Sequence, residues 1–511
     1  MARLHEHQGK ALLREHGVAA PRGFVVRSPE EARRACADLG GRAVVKMQAF
    51  TTSRKAQGGV ALVDSPEDAQ REAARMLQMR VGAYPVEELL VEEQLPIRRE
   101  LFVSLTVDDA ARAPVLLLSL AGGSGVEERA QAVLRVPVHV ERGVDERALG
   151  RALAESDLDE AVAAQLRDVV GRLFALARSV EARSVEINPL ALLENGQLVA
   201  LDCRLAVDDY AVFRHPELGV EIAREFDHPP TELEKIAHRV EQADHRGTFY
   251  FTQLPREEGR PVVGFHGAGG GGSMMSMDAL TAEGFCPANF TDTSGNPSSA
   301  KVYAAARVIL AQEGLVGYFG SGSGVASQEQ HHSAYGLAKA FLELSLRVPA
   351  VVRLGGNNEE KAVEILQRAC AQLPAPVEGY TKDDSPAFIA RRFRELVEAH
   401  GAQPWSPRPR TVPAFVGQAS ALRAPVRFGK GWEGTAWVDP SCPPRARLQL
   451  VERSGGLLRL DERGELALAV SPEASLERDS DWIALEIDAR IEGLPHVFVD
   501  IPIAGLDDGA G

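Results

Sequence analysis

Glycine clusters that each follow an apolar run and precede a helical pattern constrain the second half of this chain more than any other feature. P-V-V-G-F at 261–265, A-N-F at 288–290 and L-V-G-Y-F at 315–319 read as strands. They enter, in turn, the glycine run 267–272, the loop T-D-T-S-G-N-P-S-S and G-S-G-S-G at 320–324. A helix is expected after each loop, the second over about 298–312, and P-A-V-V-R-L at 349–354 returns as a strand. Strand, glycine loop and helix in strict alternation is the order of a doubly wound parallel sheet, whose ligands sit at the carboxyl edge.

The first block has a different rhythm. Residues 4–16 read as a helix closed by Gly17, and Ser28-Pro29-Glu30-Glu31 opens another with proline in its first turn. A-V-V-K-M at 43–47 is a strand, then comes the basic loop T-T-S-R-K-A-Q-G-G at 51–59, then the strand V-A-L-V. Lys46 ends its strand directly before that loop, where a lysine can serve as a point charge for phosphates. Ser53, Arg54, Lys55, Gly58 and Gly59 add to a cover suited to an anion. Further strands are expected at 88–93, 100–107 and 114–120, followed by a glycine loop at 121–127 and helical pattern from about 145 to 180.

The run V-E-I-N-P-L-A-L-L-E-N-G-Q-L-V-A-L-D at 185–202 is a hairpin about Asn195-Gly196. It is expected to bring Glu186, Asn188 and Asp202 together. Two carboxylates and an amide interrupting apolar strands suit Mg²⁺, which takes one or two carboxylates and leaves room for phosphate and water. A polar hairpin edge is the alternative, and burying these groups without an ion or partner would be costly.

A charged connection at 213–245 and a proline-rich linker from about 401 divide the chain. The expected domains are 1–245 for nucleotide binding, 246–400 for the doubly wound sheet, and a linker with a small all-β extension at 401–511. About seven short strands in the last segment suggest a sandwich. The 57 basic and 72 acidic residues give a net charge of −15, which disfavours nucleic acid as a partner. Five scattered cysteines without a C-x-x-C pair fit a reducing cytoplasm. No export signal or membrane span is expected.

Across about residues 3–395, the order of short motifs resembles the β subunit of succinyl-CoA synthetase, the ATP-grasp subunit of ADP-forming carboxylate-CoA ligases. The matching runs are L-H-E-H-Q-G-K-A-L-L, V-V-K with G-G-V, L-V-E, R-E-L-F, E-I-N-P-L with A-L-D, V-F-R-H-P-E-L, P-A-N-F and V-V-R-L-G-G-N-N. The resemblance implies an α+β ATP-grasp domain followed by a flavodoxin-like domain. It implies that Lys46 and Arg54 contact ATP, that Glu92 beside Glu93 sits at the adenine hinge, and that Glu100 faces the nucleotide. It also implies that Asn188 and Asp202 hold Mg²⁺, and that Glu186 orients a phosphohistidine carried by a CoA-binding α-type partner. A heterodimer or heterotetramer is then expected, with CoA held mainly by the partner.

The family chemistry needs a phosphate cradle in the second block. Thr293, Ser294, Gly295, Asn296 and Ser298 stand where the family has a glycine triplet, ahead of a helix N-terminus that favours anions. An ordinary capped turn is the other reading. The carboxylate pocket departs further: His266 replaces an asparagine, and Gly320, Ser321, Gly322, Ser323, Gly324 and Val325 form a longer, serine-rich loop. If these line the pocket, His266 adds a donor or cation, and a small acid more polar than succinate is expected. His331 and His332 are expected to point apart in surface or packing roles. A non-catalytic scaffold subunit and an ATP-grasp ligase with a non-CoA acceptor remain alternatives.

Overall fold

The computed structural model describes residues 1–51, 54–82, 84–120, 122, 133–224, 226, 228–322, 324, 328–401, 403–427, 433–441, 458–460, 466–468 and 497–507. Contacts divide the chain into two compact units, Met1–Pro230 and Thr231–Gly511.

The first unit holds two sheets. The smaller runs Gly23–Val26, Leu89–Glu93, Ala43–Met47, Val60–Val63, with every neighbour antiparallel. Helices Pro29–Asp38 and Pro66–Met76 pack on one face, and each begins where a Ser-Pro pair supplies a capping hydroxyl and a proline that needs no N–H partner. Alternation then decides the other face: Val45, Met47 and Val91 join the core, while Lys46 and Glu92 point away from it.

The larger sheet runs Ala2–Arg3, Arg204–Val207, Ala182–Leu193, Ile97–Asp108, Ala113–Ser119, Leu134–His139, Gly143–Val144, with Leu198–Ala200 paired to Ala182–Leu193. Val185 and Ile187 meet the core built on helix Glu160–Ser179. Ser184, Glu186 and Asn188 alternate with them and remain partly accessible.

In the second unit the sheet order is Tyr250–Gln253, Asn289–Asp292, Val262–Ala268, Leu315–Gly322, Ala350–Arg353, Val377–Tyr380. The last four strands are parallel to one another, and Asn289–Asp292 is parallel to Val262–Ala268. Helices cover both faces, as the alternation predicts. Gly270–Ala282 and Pro386–His400 meet Val263, Phe265, Phe319 and Val351 on one side. Ser299–Leu310 and Gln330–Glu343 lie on the other, and every residue of Ser299–Leu310 is buried.

The connection at 213–245 is not merely a linker. Thr231 and Glu234 form a capping box that opens helix Glu232–Ala243, whose Ile236, Ala237 and Val240 join the second unit's core. The last segment packs into that same core through Trp405, Ala436, Val438, Val499, Ile501 and Ile503. Its described strands form the sheet Leu422–Arg427, Glu433–Val438, Val497–Asp500 and the pair Leu458–Leu460 with Leu466–Leu468. The strands expected at 447–451 and 482–488 lie outside the described residues. No helix among the described residues is long and apolar enough to cross a membrane.

Candidate functional site

Lys46 opens onto a buried cluster of six charges. Its ammonium is 3.0 Å from Glu6 Oε1 and 2.6 Å from the Leu201 carbonyl oxygen, and it also pairs with Glu92. Lys10 lies 2.6 Å from both Glu6 and Glu92. Arg54 lies 2.7 Å from Glu6 Oε2, off the hydrogen-bond line, and donates to Asp202 Oδ2 at 2.6 Å. Three cations thus face three carboxylates.

Burial alone would neutralise these groups, and pairing reverses that. For Lys46, burial opposes the charge, but Glu6, Glu92 and Asp202 hold the ammonium above the ordinary lysine range. For Glu6, burial is outweighed by Lys10, Lys46 and Arg54, which hold its carboxyl well below the ordinary range. A phosphate entering here therefore meets Lys46 and Arg54 charged and already positioned.

Glu92 has strand neighbours on both edges, through Gly23 and Val44, and its carboxylate enters the charged cluster. Glu93 accepts from the Arg22 amide at 2.8 Å at the strand end. Glu100 stands opposite Ala191 on the larger sheet, and Lys55 is exposed. Ser53 lies outside the described residues.

The hairpin forms as the Asn195-Gly196 turn predicts, with Gly196 at φ 83°. Leu190 pairs with Ala200 and the Leu201 amide donates to the Pro189 carbonyl at 3.0 Å, a register that sets Asn188 against Asp202. Glu186 falls two residues farther along, opposite Arg204. Asp202 Oδ1 is buried beside the charged cluster, without a hydrogen-bond partner among the described residues. One carboxylate with an orphaned oxygen and a facing amide fit a magnesium ion that also binds phosphate. Among the described residues there is no cluster of three or more His, Cys, Asp or Glu that would hold a metal by side chains alone.

A cleft of about 450 Å³ adjoins these groups and is lined by His5, Glu6, Arg54, Ser104, Glu186 and Arg204 among others. Sequence reasoning missed Glu6 and Lys10 as members of the site. An i,i+4 Glu–Lys pair ordinarily reads as a solvated helix face, and only the partners required by Lys46 and Arg54 distinguish this one.

In the second unit, a narrow pocket of about 20 Å³, room for about one water, lies at the carboxyl ends of the parallel strands. His266, Gly320, Ser321 and Gly322, expected around the acid, line it together with Thr293, which was expected in the phosphate cradle, and with Gln328, Gln330, Ser333 and Arg353, which the sequence reading missed. Their spacing carried no motif, since they come from a loop, a helix and the next strand. Gly324 is described but is not among the lining residues, and Ser323 and Val325 lie outside the described residues.

His266 is not a cation here. Burial lowers its pKa to about 3, and its ring nitrogens meet Tyr318 and, at 2.8 Å, Thr293 Oγ1. His331 and His332 do not point apart either: their ring centroids are 4.1 Å from each other at the start of helix Gln330–Glu343.

The loop at 293–298 also differs in detail. Pro297 precedes the cap rather than entering the helix; Ser298 is the cap and accepts from the Lys301 amide at 3.0 Å. Ser298 Oγ donates to Asp244 at 2.6 Å, Ser294 Oγ donates to Asp292 at 3.2 Å, and Asn296 Oδ1 accepts from the Glu329 amide at 3.1 Å. These side chains are engaged internally. What the loop offers an anion is the backbone of Gly295 and Asn296, held in left-handed conformation at φ 76° and 59°.

Residues 3–192 match the ATP-grasp domain family. The succinate–CoA ligase [ADP-forming] β subunit of Rubrobacter xylanophilus is 32% identical over 403 residues, covering 78% of this chain and 99% of that one. The β subunit 1 of the corresponding ADP-forming enzyme of Archaeoglobus fulgidus is 34% identical, covering 73% and 95%. A GDP-forming β subunit of Thermus thermophilus is 33% identical, covering 71% and 93%. Among solved structures, ATP citrate lyase from Methanothrix soehngenii, in complex with citrate and coenzyme A, shares the fold with a TM-score of 0.61 at 21% identity, covering 77% of this chain and 99% of that one.

Proposed function

We propose that this chain, which belongs to the succinate–CoA ligase β-subunit family, is the ATP-using half of a heteromeric enzyme that joins a small polar carboxylic acid to CoA. The overall chemistry balances as ATP, acid and CoA giving ADP, inorganic phosphate and acyl-CoA. The γ-phosphoryl group passes first to a histidine on an α-type partner and then to the acid, and the thiol of CoA, held mostly by that partner, displaces inorganic phosphate from the acyl phosphate to form the thioester.

The observation that carries the reading is the arrangement at the hairpin, where Asn188 faces Asp202 and the orphaned Asp202 oxygen adjoins Lys46 and Arg54. Magnesium, when bound there, offsets phosphate charge. Lys46 and Arg54 position the phosphates, and Glu186, two residues along the same face, orients the partner's histidine. Gly295 and Asn296 present the phosphate cradle in the second unit.

Asp202→Ala and Asn188→Ala are each expected to lower ATP-dependent phosphorylation of the partner by at least about tenfold, with little change in melting temperature. Phosphorylation at the wild-type rate under limiting Mg²⁺ in either variant would remove these residues from the metal site.

A further inference from the structure

Of the charged cluster around Lys46, only Glu6 and Arg54 are among the described residues that line the cleft of the first unit. Glu6 is therefore the first carboxylate of the cluster that a ligand arriving through the cleft meets. It opens helix Glu6–Glu15, which lies so close to the residue after Asp202 that a Cβ added at Gly9 would stand 2.8 Å from Cys203 Sγ. The preceding Leu4 amide donates to the Leu205 carbonyl at 3.0 Å, so packing and pairing both hold Glu6 at this place. Among the described residues it is also the one carboxylate in contact with all three cations. Its Oε1 accepts from Lys10 at 2.6 Å and from Lys46 at 3.0 Å, and its Oε2 lies 2.7 Å from Arg54.

An ammonium has three hydrogens. Those of Lys46 face Glu6 Oε1, Glu92 Oε1 and, at 2.6 Å, the Leu201 carbonyl oxygen. A phosphate oxygen can bond Lys46 only by displacing one of these acceptors. The Leu201 carbonyl belongs to the hairpin, and Glu92 sits in a strand paired on both edges. Displacing either would leave Glu6 still on Arg54. Withdrawing Glu6 instead opens a donor on Lys46 and on Arg54 together. Lys10 lies four residues along the same helix and donates to Glu6, so the withdrawn carboxylate keeps a counterion and no bare charge is buried.

We propose that Glu6 is a resident competitor for the nucleotide's phosphates, and that Lys10 is the counterion that keeps it neutralised when it yields. The inference rests on the ATP reading of the first unit. It makes entry depend on ligand charge: a monoanion gains nothing by replacing Glu6 on these cations, whereas a polyphosphate does.

The test is binding of ATP·Mg and of inorganic tripolyphosphate to the full-length chain, measured by calorimetry. Tripolyphosphate carries the phosphates without base or ribose, so it reports on this exchange alone. Glu6→Gln should tighten binding of both ligands by at least about tenfold, because the competing charge is gone. Lys10→Met keeps the apolar stem but removes the counterion, and should weaken both by about the same factor. Each variant breaks a buried ion pair and should melt below the wild type, so a purely structural role would weaken binding in both. Opposite signs separate the two accounts.

Glu6→Asp keeps the charge but draws it back by one methylene. It should also tighten binding, by a smaller factor, which ties the effect to contact rather than net charge and gives a second variant should the glutamine form fold poorly. Failure of either folded Glu6 variant to bind more tightly, or tighter binding in Lys10→Met, would overturn the proposal. A wild type that binds no ATP·Mg would sink the nucleotide reading and this proposal with it. Wild-type ATP·Mg binding that the Glu6 variants do not tighten would sink only this one, and the predicted shifts without phosphorylation of any partner would sink the ligase reading alone.

Discussion

His266 shows how far a residue's role depends on what buries it. Its pKa falls from 6.5 to about 3 through burial, so between those values the unfolded chain binds a proton that the folded chain refuses. The stabilising contribution is complete above 6.5 and declines as pH falls toward 3, at ~1.4 kcal/mol per pH unit. All four tryptophans lie at 405, 432, 437 and 482, so their fluorescence reports the second unit. Urea midpoints followed by that signal should drop steeply with acid in the wild type and less steeply in His266→Gln; equal slopes would mean that His266 is not neutral in the fold. The sequence marked His266 as a departure from the family but could not reveal its protonation state, which depends on Tyr318 fifty-two positions away and on strand pairing. Glu6 and Lys10 were illegible for a related reason: their partners are distant in sequence, and a charge pair on a short helix looks the same whether solvated or buried.

Elements were far more legible than contacts. The Ser28-Pro29 helix start, the Asn195-Gly196 turn and the strand-glycine-helix alternation act through nearest neighbours, and each formed where local chemistry places it. The helix Ser299–Leu310 shows the limit, because its four alanines indicate close packing without saying against what. The answer includes helix Gln330–Glu343, whose Gly336 approaches so closely that an added Cβ would lie 2.4 Å from the Ser299 carbonyl oxygen and 2.9 Å from the Tyr303 amide nitrogen. Gly336→Ala should therefore destabilise the second unit by about 1–3 kcal/mol through overpacking. Gly171, exposed within helix Glu160–Ser179, meets nothing within 4 Å, so Gly171→Ala should stabilise the first unit by about 1 kcal/mol through helix propensity. Opposite shifts in chemical denaturation, read by tryptophan fluorescence for one and circular dichroism for the other, would support this distinction. A stabilising Gly336→Ala would show that the two helices do not meet at this distance.

At the scale of the whole molecule, the sequence showed two α/β blocks and an added β segment, while contacts join that added segment to the second block's core. Trp405 anchors it: its indole donates to the Leu310 carbonyl at 2.7 Å and its backbone bonds to Gly314 and Leu315. A proline-rich linker cannot signal such an anchorage in advance, because the partners lie about ninety residues earlier. Family membership assigns the chain to an ADP-forming carboxylate–CoA ligase, and the central claim is that the chain supplies only the ATP-using half. The most direct measurement follows labelled γ-phosphate and thioester together, with purified chain, acid, CoA and Mg²⁺, in the presence and absence of a CoA-binding α-type subunit. The account predicts ADP, transient label on the partner's histidine, and acyl-CoA only when both chains are present. Acyl-CoA made by this chain alone, or AMP as the nucleotide product, would contradict it.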